Sequence, residues 1–151
     1  GGGRRDVGSV LHTRPGAVIA HSWAGAAKYF SNRTALDMHG KVDPHIARLT
    51  AIPGDMMPAH NKYDAAYIFD QKPDIVVAGI NAGTVQDPKA FQSTPVRDTY
   101  PGILRSLEDP VFARDYLPNA APIPISMDYH GIFIRAGSTL ADSPEAWVVK
   151  P

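Results

Sequence analysis

Cysteine is absent from the 151 residues of this chain. Its absence excludes disulfides, thiolate-bound zinc and cysteine nucleophiles, and leaves the redox compartment open. A surplus of either charge is also missing, since fifteen Lys and Arg balance fifteen Asp and Glu. A nucleic-acid partner, which calls for basic residues gathered on one face, is therefore not expected. No apolar run approaches the roughly 20 residues that span a bilayer, and no signal-peptide pattern opens the chain. Internal repeats and low-complexity tracts are lacking too. Proline and glycine, by contrast, are plentiful at 14 and 13. They fall mostly between apolar segments, as punctuation of a loop-rich fold and not as a mark of disorder.

A chain this long buries about 70% of the surface its unfolded form exposes, which suits one domain. Gly1-Gly2-Gly3 reads as an artificial leader, leaving residues 4–151 as a single α/β domain, expected to be a piece of something longer. The organising stretch is Ala17 to Gly40. Ala17-Val18-Ile19-Ala20 is a short, wholly apolar run, as in a strand covered on both faces. Ser22 to Gly25 reads as a turn, Ala26 to Phe30 as a brief helix, and Thr34-Ala35-Leu36 as a second strand. So close a succession predicts a parallel pair joined by a right-handed crossover.

Further elements follow from caps and periodicity. A short helix is expected from Asp6 to Thr13, ended by Arg14-Pro15-Gly16. Asp43-Pro44 starts another, with Ile46 and Leu49 inward. A helix from His60 or Asn61 to about Gln71 places Tyr63, Ala66 and Tyr67 on one side, and Lys72-Pro73 ends it. Ile75 to Ile80 reads as the central strand. Asn81 to Arg97 shows little periodicity and reads as a long loop. Tyr100, Ile103, Leu104 and Leu107 form a helical stripe, and Asp109-Pro110 starts a helix carrying Phe112 and Tyr116. Ile123 to Met127 and Gly131 to Ala136 read as an antiparallel pair turning at Asp128-Tyr129-His130, one of them an edge strand because prolines flank Ile123. A late return through Trp147-Val148-Val149 completes the reading. The sum is an α/β three-layer sandwich, with a mainly parallel, Rossmann-like sheet and a late antiparallel hairpin.

In open α/β sheets, sites form beyond the carboxyl ends of the strands. That directs attention to His21 and Ser22, to Asp37 and His39, and to Asn81. A dinucleotide site is disfavoured, because Ser22-Trp23-Ala24-Gly25-Ala26 has one glycine where tight pyrophosphate binding needs three. His39, His45 and His60 with Asp37, Asp43 or Asp64 offer donor types that zinc or manganese accepts. No HExxH or HxH spacing supports such a site, however, so no metal and no other cofactor is expected. Ser22 lacks the GxSxG elbow of a serine nucleophile. Asn32-Arg33-Thr34 fits a glycosylation sequon beside a strand, where it is read as incidental.

The run TALDMHGKVDPHIAR, a loop, and then PAHNKYDAAYIFDQKPDIVVAG carries a recognisable pattern. A strand ends in Asp; Gly, a polar residue, Asp and a short helix follow. After a loop come His, a helix with Asp and Tyr, and a strand behind Lys-Pro-Asp. The positions are Asp37, Gly40, Asp43, His60, Asp64, Tyr67, Pro73 and Asp74. About half the chain thereby resembles the soluble C-terminal domain of bacterial polytopic membrane glycosyltransferases of the GT-C class, protein-mannosyltransferase-like and arabinofuranosyltransferase-like, which use polyprenyl-phosphate sugars. It departs from them at Ala59, where the pattern has Gly, and at Asn81 to Tyr100.

The resemblance implies an extracytoplasmic domain at the bacterial cell membrane, tied to the membrane-embedded part of the same polypeptide. The catalytic carboxylate of that class lies elsewhere, so no catalytic residue is expected here. Asp37, His39, His60, Lys62 and Asp64 become candidates to face an acceptor or donor cleft, with a glycan or lipid-linked sugar as partner. Asp37 and Asp43 equally suit caps of turns and helices. The alternative is a stand-alone small α/β enzyme or ligand-binding domain using the strand carboxyl ends. A third reading, an interaction module, rests on the loops bearing Met56-Met57 and Phe91.

Overall fold

A computed structural model describes residues 12–21, 32–53, 61–80, 105–117, 123–125 and 128–143. Its elements are β1 (Val18–His21), β2 (Thr34–Asp37), α1 (Pro44–Ala47), α2 (Ala65–Asp70), β3 (Ile75–Ile80), α3 (Pro110–Asp115), β4 (Tyr116–Leu117), β5 (Ile123–Ile125) and β6 (Asp128–Arg135). The strands form one sheet in the order β2-β1-β3-β6-β4, with β5 also paired to β6. β1 lies parallel to β2 and to β3, in registers Val18↔Thr34 and Ile19↔Ile75. β6 then runs antiparallel to β3, and β4 and β5 are antiparallel to β6. The architecture is α/β, as expected. The sheet is mixed, because β6 enters against the parallel trio and is itself lined by two short antiparallel strands.

Strand alternation assigns the core. Ala20, Leu36, Val76 and Phe133 point to one face, where Ile46 of α1, Ile68 and Phe69 of α2 and Phe112 of α3 cover them. Ile19, Ile75, Ile132 and Ile134 occupy the other face, with Ala141 against them and Val77 packed alongside. Both faces of the central strands are thus dry, which explains their unbroken apolar runs. Phe112 lies 5.0 Å from Phe133 edge-on and 5.5 Å from Tyr116 in a stack, between ring centroids. Such ring pairs add about 0.5–1.5 kcal/mol each beyond the area they bury.

Several boundaries move for local reasons. Asp64, not His60 or Asn61, caps α2, its side chain accepting from the Tyr67 amide, so the helix starts at Ala65. Its buried residues are Ile68 and Phe69, while Ala66 is exposed. Tyr116 belongs to β4, beyond the end of α3. Asp128, Tyr129 and His130 lie within β6, pairing with β5 as Ile125↔Asp128 and Ile123↔His130. Residues expected to form the turn are thus the first three of the strand. Among the described residues β5 pairs only with β6, which fits its flanking prolines. Thr13 forms an isolated antiparallel bridge with Ala141, so the expected first helix does not reach it. The rest of that helix, residues 22–31, the loop after β3, the Tyr100–Leu104 part of the helical stripe and the Trp147 strand lie outside the described residues.

Candidate functional site

The carboxyl edge of the parallel strands is built around Asp37, the last residue of β2. Its side chain is 1% exposed. Oδ1 accepts from the His39 amide at 3.0 Å and Oδ2 from the Val42 amide at 2.8 Å. The Gly40 amide donates to the Asp37 carbonyl at 3.0 Å, closing the turn. Both carboxylate oxygens thus bind backbone N–H groups that would otherwise go unmet in a tight buried bend. His39 is buried in the same turn, and His21 of β1, also buried, sits in register beside Asp37.

Gly40 delivers the chain from this turn to α1. Its φ is +72°, and a Cβ there would stand 2.6 Å from Ile46 Cβ and 2.9 Å from the Ala47 amide nitrogen. Asp43 then caps α1, its Oδ1 accepting from the amides of His45 at 2.9 Å and Ile46 at 3.0 Å. Pro44 occupies the first helical position, where its missing N–H costs nothing.

α2 is fastened to α1 through polar contacts. The Tyr67 hydroxyl donates to Asp43 Oδ2 at 3.1 Å, and the His45 ring stacks on Tyr67 with centroids 4.0 Å apart. His45 Nε2 meets Asp64 Oδ2 at 2.8 Å, while Asp64 Oδ1 accepts from the Tyr67 amide at 2.9 Å. Lys62 Nζ donates to the Ala47 carbonyl at 2.6 Å. The Ile52 amide donates to the Asn61 carbonyl at 2.9 Å, bringing the two segments together at the base of the intervening loop. The His45 hydrogen bond, then the Tyr67 amide, hold the Asp64 carboxyl below its ordinary range. Burial first, and the Asp43 hydrogen bond next, push the Tyr67 phenol up.

The opposite pole, at the amino ends of the strands, has its own acid. Asp74 is 3% exposed. Its Oδ2 accepts from the Val18 amide at 2.8 Å, and its Oδ1 from Arg135 at 2.9 Å and the Ser138 hydroxyl at 2.7 Å. This hub locks β1, β3 and β6 together.

Among the expected site residues, Asp37 and His39 share one buried turn. Lys62 and Asp64 both fasten to α1, through the Ala47 carbonyl and the His45 ring. The Asp43–Tyr67 hydrogen bond links the two groups. His60, and with it the anticipated Asp37–His60 pair, lies outside the described residues. The sequence offers His45 as a metal ligand, a cap or a solvent-facing side chain, and not as the hydrogen-bond partner of Asp64 that it is. The two are 19 positions apart, and no local pattern in the sequence signals that they meet. Among the described residues no three His, Asp or Glu side chains gather closely enough to hold a metal ion. No described helix is long and apolar enough to cross a membrane.

Comparison with curated proteins and with solved structures found no match for the chain. The model of one family, described as Domain of unknown function (DUF8728), matches residues 3–136, most of the chain's length. This chain belongs to the DUF8728 family.

Proposed function

We propose that this chain is a non-catalytic extracytoplasmic domain of a GT-C class membrane glycosyltransferase that uses a polyprenyl-phosphate sugar. In that role it helps to shape the acceptor or donor cleft against the membrane-embedded part of the same polypeptide. The observation that carries the reading is how the acids of the resembling pattern are used. Asp37, Asp43 and Asp64 each bind backbone amides, and Asp74 holds three strands together. Residues so committed build a surface; they do not serve as proton donors or nucleophiles, which need a reactive oxygen aimed at substrate. The cleft-facing role falls to Lys62 and Asp64, which sit outward at the α1–α2 junction, with His60 next to them in sequence. Asp37 and His39 support it from beneath.

The fold reading extends in the same way. The parallel order β2-β1-β3 with buried apolar residues on both faces supports a three-layer, Rossmann-like arrangement. A stand-alone ligand-binding or enzymatic domain is the second reading. It is favoured by His21 and Asp37, buried side by side at the carboxyl edge.

Two measurements separate these readings. A gene product with many hydrophobic segments upstream of Gly1 supports the transferase assignment, whereas a complete short product sinks it. Transfer from a polyprenyl-phosphate sugar by the full-length protein is expected to survive Asp37→Asn whenever the variant is expressed. Complete loss of turnover in a well-folded Asp37→Asn protein makes that carboxylate chemical and overturns the non-catalytic role.

A further inference from the structure

We propose that His45, with Asp64 bonded to it and Lys62 fastened to the same short helix, forms a saccharide-binding subsite in which the imidazole is the platform for a sugar ring. The inference rests on the glycan-facing reading above and names the residue and ligand class that such a face requires. One side of the His45 ring is covered by Tyr67, at 4.0 Å between centroids and 20° between planes. The side chain nevertheless remains 46% exposed, so an imidazole surface stays open to solvent. The stack and the Asp64 hydrogen bond fix the ring's position before any ligand arrives. A ligand then meets little ordering cost.

The tautomer follows from the partner. Asp64, held ionised, offers only acceptors, so the proton of a neutral His45 ring resides on Nε2 and Nδ1 is left as the acceptor. Complementary groups belong to the same α1–α2 junction. Asp64 Oδ2 and Oδ1 each carry a further lone pair, with the side chain 30% exposed. Lys62 donates one N–H to Ala47 and retains two more. A flat ring bonded to an acceptor, with a donor at the same junction, suits a neutral polyol with an apolar C–H face. An anion is opposed by Asp64. A bare cation finds no third ligand here among the described residues, and an apolar ligand leaves the ammonium and carboxylate desolvated. The contact area is small, so binding of one sugar unit is expected to be weak, with Kd on the order of 1 mM.

The test is a titration of the chain with a mannose oligosaccharide and an arabinofuranose oligosaccharide, followed by NMR of the backbone amides and the imidazole nitrogens. At least one saccharide is expected to shift His45, Asp64 and Tyr67 signals saturably. His45→Ala should weaken that response at least tenfold with amide dispersion retained. If His45→Ala does not fold, His45→Phe decides. It keeps the ring and loses the nitrogens, and a three- to tenfold weakening is expected. Absence of saturable shifts with either saccharide at tens of millimolar, or an unchanged affinity in a folded His45 variant, overturns the subsite. The outcome is separable from that of the parent reading. Saccharide binding by a complete short gene product keeps the subsite and removes the transferase; transfer activity without saccharide shifts does the reverse.

Discussion

Gly40 bears the tightest steric demand in the turn after β2. Its φ of +72° favours glycine, and Ile46 and the Ala47 amide fill the space a Cβ would take. Gly40→Ala is therefore expected to cost about 2–4 kcal/mol, combining left-handed strain with a clash against backbone that cannot yield. Urea unfolding at pH 7 measures it, and a loss below about 1 kcal/mol contradicts the geometry. Asp74 is the second residue whose loss is large. Replacing it by Ala leaves Arg135 without its countercharge and strips the Val18 amide and the Ser138 hydroxyl of their acceptor. A cost of about 3–5 kcal/mol follows for breaking a buried pair from one side. The Lys-Pro-Asp signal marked this position in the sequence. Its partners, 56 to 64 positions away, left no mark there.

Elements with local instructions were legible. Asp43-Pro44 and Asp109-Pro110 both start helices as read, since a carboxylate cap and a fixed proline φ act within one turn. The apolar runs of β1 and β3 identified buried strands for the same reason. Elements decided by pairing were less legible. β6 extends back through Asp128, Tyr129 and His130 because ladder hydrogen bonds to β3 and β5 outweigh their turn-like composition. The start of α2 slid to Asp64 because that acid serves two partners at once.

The α1–α2 junction has a pH signature. The folded carboxyl of Asp64 lies below its unfolded value of about 3.9. Its contribution is therefore present above about pH 4 and lost as pH falls through the lowered folded value. Asp64→Asn keeps a capping oxygen and removes the charge. The stability gap between wild type and this variant is expected to be present above about pH 4 and to shrink below it, read from urea midpoints at each pH. A gap that does not narrow in acid excludes a stabilising Asp64 carboxylate.

Tyr116 does the converse. Burial raises its phenol well above the ordinary 10, and its hydroxyl donates to the Pro73 carbonyl at 2.6 Å. Its stabilisation holds below about pH 10 and is lost as pH rises, because the unfolded phenol ionises first. Tyr116→Phe should cost about 1 kcal/mol at pH 7 and flatten the alkaline fall in stability. An alkaline limb unchanged by the substitution contradicts it.

At the scale of the molecule, the two poles of the sheet differ in purpose. The amino pole is stapled by Asp74 and, a few residues from its partners Val18 and Ser138, by the Thr13–Ala141 bridge and the pairing of Asp142 with His12 and Arg14. The carboxyl pole carries the Asp37 turn, whose chain leads directly into the α1–α2 junction where Lys62, Asp64 and His45 are presented. The resemblance pattern spans both poles, and every one of its described positions makes a structural contact. What sequence alone could not supply was the surface these contacts produce, since His45 and Asp64 become neighbours only after two helix caps are set.

The central claim is that this surface recognises and does not react. Its most direct test is steady-state transfer from a polyprenyl-phosphate sugar by the full-length protein carrying Lys62→Ala and Asp64→Ser, the serine retaining the helix cap. The account predicts that KM for acceptor or donor rises at least fivefold while kcat stays within twofold of wild type, the mark of lost binding that ground and transition states share. A collapse of kcat at unchanged KM, or no transfer by the wild-type protein, contradicts it.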